Sequence, residues 1–196
     1  MSDAPNALPY QVVIAAQVPA SLRASFDRLD QQSLDELRLS DATIREFQDR
    51  FCSEGDISQH VLAVDRDEVI GMVLAYRRVL DGGRPPVTLG GIGSVYVAPV
   101  CRGVGIARRL VHLAMTELDR AGCDLAFLCA NLDDPQLIRL YGGVGFAPLG
   151  RPYTYTGESG APYTGQDGMI APVRSPDVFI RVLGQPEPFD IGRGNW

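Results

Sequence analysis

The chain has 196 residues, 45% of them apolar, which is enough for one domain with a substantial core. A formal net charge of −6 and the lack of any basic cluster argue against a general nucleic-acid binder and lean toward a cationic substrate. All 18 basic residues are arginines, so a Walker-type phosphate lysine, a Schiff-base lysine and pyridoxal chemistry are excluded.

The first residues carry no basic group before Arg23, and their apolar run is too short for a signal peptide or a membrane span. A reduced, cytoplasmic setting with no membrane partner is the expectation. Residues 10–18 read as a strand and 19–36 as a helix. A second helix is expected over 41–51, with Asp41 as its cap and Arg50 near its end. Residues 60–64 and 69–78 alternate or run apolar around Asp65-Arg66-Asp67, the pattern of a hairpin. After a Gly/Pro loop at 82–86, residues 87–97 form a long strand whose middle, Gly90-Gly91-Ile92-Gly93, is rich in glycine. Glycine inside a strand marks a bulge or a place where something must come close to the backbone.

The helix that follows places Ala107, Leu110, Val111, Ala114 and Leu118 on one face and stops at Gly122. Residues 125–130 read as a short buried strand. Asp134 and Pro135 then open another helix, with Leu137, Leu140 and Tyr141 on a common face. Beyond Phe146, residues 150–168 read as a long loop or ragged hairpin, and 169–173 and 177–183 as strands. The strand–helix–strand order over 87–130 implies one parallel crossover, and the earlier hairpins imply antiparallel pairing. The expected fold is α/β (α+β), a mixed sheet with helices on both faces.

Cys52, Cys101, Cys123 and Cys129 form no CxxC pair and have no zinc-ligand spacing, so no metal site is expected. Cys123 and Cys129 fall in or beside a buried strand. A catalytic thiol at Cys101 would have only His60 or His112 as a base.

The most informative stretch is SVYVAPVCRGVGIARRL, residues 94–110. A strand, a tight turn at Arg102-Gly103-Val104-Gly105 and a helix start follow in order. That order aims several backbone N–H groups, and the positive end of a helix dipole, at one point suited to phosphate. A dinucleotide site would need GxGxxG, but Arg108 stands at its third glycine and Asn131 where an acid should close the next strand. A turn that only caps the helix is the other alternative.

The turn resembles the acyl-CoA site of the GNAT superfamily of N-acetyltransferases. Arg102, Gly105 and Ala107 meet its Arg/Gln-x-x-Gly-x-Gly/Ala pattern after Val95-Tyr96-Val97. Leu140-Tyr141-Gly142-Gly143-Val144-Gly145-Phe146 resembles the family's Tyr-x-x-x-Gly-Phe. The resemblance implies a single acetyl-CoA-dependent domain over 1–196, with a mostly antiparallel central sheet. It further implies that the strand residues Val95, Tyr96 and Val97 bind the cofactor, the backbone of Val95 and Val97 pairing with pantetheine. Arg102 would also bind the cofactor, and the N–H groups of Gly103, Val104, Gly105, Ile106, Ala107 and Arg108 would hold the pyrophosphate. Asp134 occupies the position of the family's cofactor-binding Asn, with Asn131 three residues earlier. Tyr141 would be the general acid, its alternative being a packing role. The base stays open among Asp134, Asp190, the terminal carboxylate and a water chain.

The tail PFDIGRGNW resembles the end of aminoglycoside 2′-N-acetyltransferases through Asp190, Arg193, Gly194 and Trp196. That resemblance places 150–196 as an extension completing the acceptor site, with Gly93, Ser94, Asp190 and Trp196 as substrate-binding candidates. Gly93 stands where that family carries a glutamate. The implied acceptor is a small-molecule amine such as an amino sugar. A longer acyl chain, an alcohol acceptor, a non-catalytic acyl-CoA-binding module and a homodimer are left open.

Overall fold

The alternating pattern around Asp65-Arg66-Asp67 folds as a hairpin in the computed structural model, which describes residues 10–37, 43, 48–51, 54–80 and 86–196. Strands β2 (Ile57–Asp65) and β3 (Glu68–Leu80) pair antiparallel, and Arg66 adopts φ +56° in the turn between them. β1 (Gln11–Ala15) adds antiparallel to β2, and β4 (Val87–Val97) adds antiparallel to β3. The chain then crosses through helix α2 (Ile106–Arg120) to β5 (Leu125–Cys129), which lies parallel to β4. β9 (Gly168–Pro172) and β6 (Ala147–Pro148) complete a seven-stranded sheet of order β1-β2-β3-β4-β5-β9-β6. This is the expected mixed, mostly antiparallel arrangement.

Helix α1 (Arg23–Glu36) covers one face of the sheet. Its Phe26 and Leu29 share a core with Met72, Leu74, Tyr76 and Phe127. Helices α2 and α3 (Pro135–Gly142) cover the other, where Leu110, Val111, Ala114 and Leu118 pack on Val61, Val73, Ile92 and Ala126. Those four α2 residues are fully buried. Each of the two leucines contributes about 1.5–3 kcal/mol by leaving water. Among the described residues no helix is long and apolar enough to cross a membrane.

Two expectations change in the C-terminal part. The stretch 150–168 is an ordered hairpin, β7 (Tyr153–Thr156) with β8 (Pro162–Gly165). β10 (Phe189–Arg193) joins it in parallel to β7, forming a second, three-stranded sheet on the α1 side of the core. Residues 177–183 are not a strand. They belong to helix α4 (Pro176–Leu183). Pro176 fixes the first helical φ, Asp177 and Arg181 complement the dipole, and Gly184 closes the last turn. Val178 and Val182, one turn apart, face the core while Ile180 is 67% exposed, a helical period that the β-branched composition had disguised. The helix expected over 41–51 lies largely outside the described residues, although 48–50 are helical. Asp41, Cys52 and the loop 82–85 also lie outside them.

Candidate active site

Strands β4 and β5 pair only from Leu89↔Leu125 to Gly91↔Phe127 and then separate, which opens a gap in the sheet. A β-bulge coincides with this opening. The β3–β4 register passes from Met72↔Tyr96 to Leu74↔Gly93, so Ser94 and Val95 together oppose the single residue Val73. Ser94 holds φ +48°, a left-handed conformation costing on the order of 1–3 kcal/mol for a non-glycine residue. Such a bulge interrupts the ladder and re-aims the strand, here away from β5. Gly93 and Ser94, both substrate-binding candidates, therefore lie where the two strands part.

The glycines before the bulge answer the question raised by the sequence. A Cβ at Gly90 would collide with Leu118 from one face, and a Cβ at Gly91 would lie inside the indole of Trp196 from the other. A Cβ at Gly93 would stand 2.8 Å from the backbone carbon of Trp196. The close approach to this strand is made by the protein itself, through the Leu118 side chain on one face and the side chain and backbone of Trp196 on the other.

At the far end of β4 the backbone passes through a 3-10 turn (Pro99–Cys101) and then Gly103 and Gly105, each at φ +85°. No atom would meet a Cβ at either glycine, so conformation and not space demands them. Gly105 caps α2, whose first N–H groups have no intrahelical acceptor and carry the positive end of the dipole. A cavity of 380 Å³ lies at this helix start, lined by Gly105, Arg108, Arg109, His112, Gly143 and Val144. Open N–H groups, two arginines and an imidazole around one cavity fit a phosphorylated ligand such as a CoA.

Arg102 is differently engaged. Its Nε donates to the carbonyl of Val97 at 2.8 Å, and its Nη2 donates to both carboxylate oxygens of Glu36 at 2.8 and 3.1 Å. The Tyr96 hydroxyl donates to the same carboxylate at 2.6 Å. The bonds from Tyr96 and Arg102 hold Glu36 below the usual carboxylate range. Burial and the neighbouring carboxylate push Tyr96 up to about 12. This trio ties the end of α1 to the end of β4.

Tyr141 sits in the last turn of α3, buried, edge-on to Phe146 at 6.3 Å. Burial alone pushes its phenol up to about 12, so it stays protonated at neutral pH. Its neighbours Gly143 and Val144 line the cavity. Asp134 uses its carboxylate to cap α3, accepting from the Gln136 N–H at 2.7 Å, and Asn131 accepts from the Asp133 N–H at 3.0 Å.

On the opposite face, Trp196 bridges the separating strands. Its indole N–H donates to the Phe127 carbonyl at 3.0 Å and its ring stacks on Tyr76. The Arg78 guanidinium lies 4.1 Å over the ring. The ring is buried. Asp190 is exposed and accepts from the Gly192 N–H at 2.9 Å, forming a local turn.

Several residues of this region were not singled out from sequence. Arg109 and His112 were within reach, because they lie one and four positions after Arg108 on the same helix. Glu36, 66 residues before Arg102, gave no local signal. Nor did the hydrogen-bonded group Cys129, Tyr153, Asp167 and Asn195, assembled from three separate segments.

Comparison with known proteins agrees with this geometry. The model of the acetyltransferase (GNAT) family matches residues 24–146. The yeast (Saccharomyces cerevisiae, strain ATCC 204508 / S288c) protein N-alpha-acetyltransferase 30 is 35% identical over 66 residues. That match spans 34% of this chain and only 38% of the relative. Two solved structures share the fold at low identity. The GNAT family N-acetyltransferase YhbS from Escherichia coli, in complex with CoA, aligns with TM-score 0.58 at 16% identity, covering 93% of this chain and 89% of that one. Arabidopsis thaliana NAA60, in complex with a bisubstrate analogue, aligns with TM-score 0.56 at 18% identity, covering 82% and 97%.

Proposed function

The chain belongs to the acetyltransferase (GNAT) family, and from that premise we propose that it moves an acetyl group from acetyl-CoA to the primary amine of a small molecule, an amino sugar among the candidates. The observation that carries this reading is the β4–β5 gap running from Gly91 toward the glycine turn and the cavity at the start of α2. When bound, acetyl-CoA supplies an activated carbonyl. The backbone of Val95 and Val97 presents a strand edge along the gap for an extended chain to pair with. The N–H groups from Gly103 to Arg108, with Arg109 and His112 beside them, hold phosphate oxygens. Tyr141, protonated at neutral pH, is the proton donor for a leaving thiolate. Segment 150–196 supports the acceptor side by seating Trp196 against Gly91 and Gly93. Calorimetry with acetyl-CoA, followed by thiol release across a panel of amino sugars, diamines and short peptides, tests the reading. No acetyl-CoA binding, or binding without thiol release from any amine, overturns it.

A second reading has its own support. The 66-residue likeness to an N-alpha-acetyltransferase favours the N-terminus of a polypeptide as acceptor. Turnover confined to the peptides of the same panel selects it. Turnover confined to the sugars or diamines selects the small-molecule acceptor.

A further inference from the structure

On the α1 side of the gap, the described residues include one continuous file of proton-carrying groups. Cys129 Sγ lies 3.0 Å from Tyr153 Oη, and Tyr153 Oη donates to Asp167 Oδ1 at 2.8 Å. Asn195 flanks the file: its Oδ1 is 3.2 Å from Cys129 Sγ, and its Nδ2 donates to Tyr153 Oη at 3.3 Å. The Trp196 N–H occupies that same Oδ1 at 3.0 Å.

Register places the file at the reaction centre. β4 and β5 run parallel and in step at Gly91↔Phe127, so two residues further on Cys129 stands across the gap from Gly93. Both positions face the same side, since Gly93 abuts Trp196 and Tyr76, and Cys129 abuts Asn195 and Tyr153. Tyr153 is fully buried, while Cys129 is partly exposed and Asp167 is exposed. The file therefore has one end in the gap and the other in solvent.

We propose that Cys129, Tyr153 and Asp167 form a relay that carries the proton of the acceptor amine out of the gap, a role that rests on the acetyl-transfer reading above. As the amine nitrogen bonds to the acyl carbon and the carbon–sulfur bond breaks, the nitrogen gives a proton to Cys129 Sγ. The Cys129 S–H proton passes to Tyr153 Oη, and the Tyr153 O–H proton to the Asp167 carboxylate, which returns it to water. The departing thiolate takes one proton from Tyr141, which is reprotonated from water, so protons balance. Burial pushes the Cys129 thiol up to about 12 and the Tyr153 phenol up as well. Both links thus stay neutral and act by exchange, not as ions.

The test pairs kinetics with a spectrum of the free protein. Asp167→Asn keeps a carbonyl oxygen for the Tyr153 hydroxyl but cannot accept its proton. Cys129→Ser keeps an exchangeable proton, whereas Cys129→Ala does not. With the best amine of the panel, kcat falls by about tenfold or more in Asp167→Asn and Cys129→Ala, with KM for acetyl-CoA unchanged, and Cys129→Ser restores most of it. In the unliganded protein, the infrared S–H stretch of Cys129, identified by its loss in Cys129→Ser, shifts in Tyr153→Phe. Wild-type kcat in Asp167→Asn and Cys129→Ala, or an S–H band unmoved by Tyr153→Phe, overturns the relay while leaving acetyl transfer standing. A wild-type protein that releases no thiol with any amine overturns both.

Discussion

The two faces of the sheet are built in opposite ways. On the α2–α3 face, the turn, the helix start and the cavity come from one run of chain, with the Tyr141–Val144 segment beside it, and backbone groups do most of the work. On the α1 face, the gap is floored by Trp196, Tyr153, Cys129 and Asn195, side chains drawn from three distant segments. A backbone site tolerates almost any side chain but few changes of conformation. A side-chain site has the reverse sensitivity, so substitutions on the two faces should fail in different assays.

Trp196→Ala should produce the largest change. It removes a buried indole, its hydrogen bond to Phe127 and its stacking on Tyr76, and costs about 3–5 kcal/mol of stability. Denaturant unfolding measures this, and calorimetry on the folded fraction should find acetyl-CoA affinity unaltered. Lost cofactor affinity would mean that the two faces are not separable. Tyr141→Phe comes next. It should lower kcat by about 10²-fold or more with acetyl-CoA affinity unchanged, and an unchanged kcat would reduce Tyr141 to a packing residue. Gly105→Ala should be smaller and confined to the cofactor. Forcing a Cβ onto φ +85° costs about 1–2 kcal/mol, so acetyl-CoA affinity falls roughly tenfold while acceptor KM stays put. A shift in acceptor KM alone would reverse the assignment of the faces.

The same contrast explains what the sequence disclosed. The hairpin at Asp65–Glu68, the whole of β4 and α2, and the capping of α3 by Asp134 are local patterns, and each was legible. The C-terminal part was not. The β-branched run in α4 carried a strand-like composition, and only the flanking Pro176 and Gly184 pointed to a helix. The parallel pairing of β10 with β7 joins residues more than 30 apart, and no local rule reaches that far. Arg102 was legible as a motif residue but not as the partner of Glu36.

That pair gives the finest probe of the contrast, because it is where α1 reaches the glycine turn. Tyr96 and Arg102 depress Glu36, so its contribution is fully present above the ordinary glutamate range and is lost as pH falls through the lowered value. The group is exposed, and its effect on stability should be small. Glu36→Gln should lower the neutral plateau slightly and leave the acid end in place, flattening the stability profile between them. The guanidinium is also anchored at the Val97 carbonyl, a bond that ties it to the end of β4. Glu36→Gln and Arg102→Gln should then weaken acetyl-CoA binding by similar small factors, and the double variant should be no weaker than either alone. Additive losses would instead assign Arg102 a direct phosphate contact, and the α1 face would have no hold on the cofactor turn.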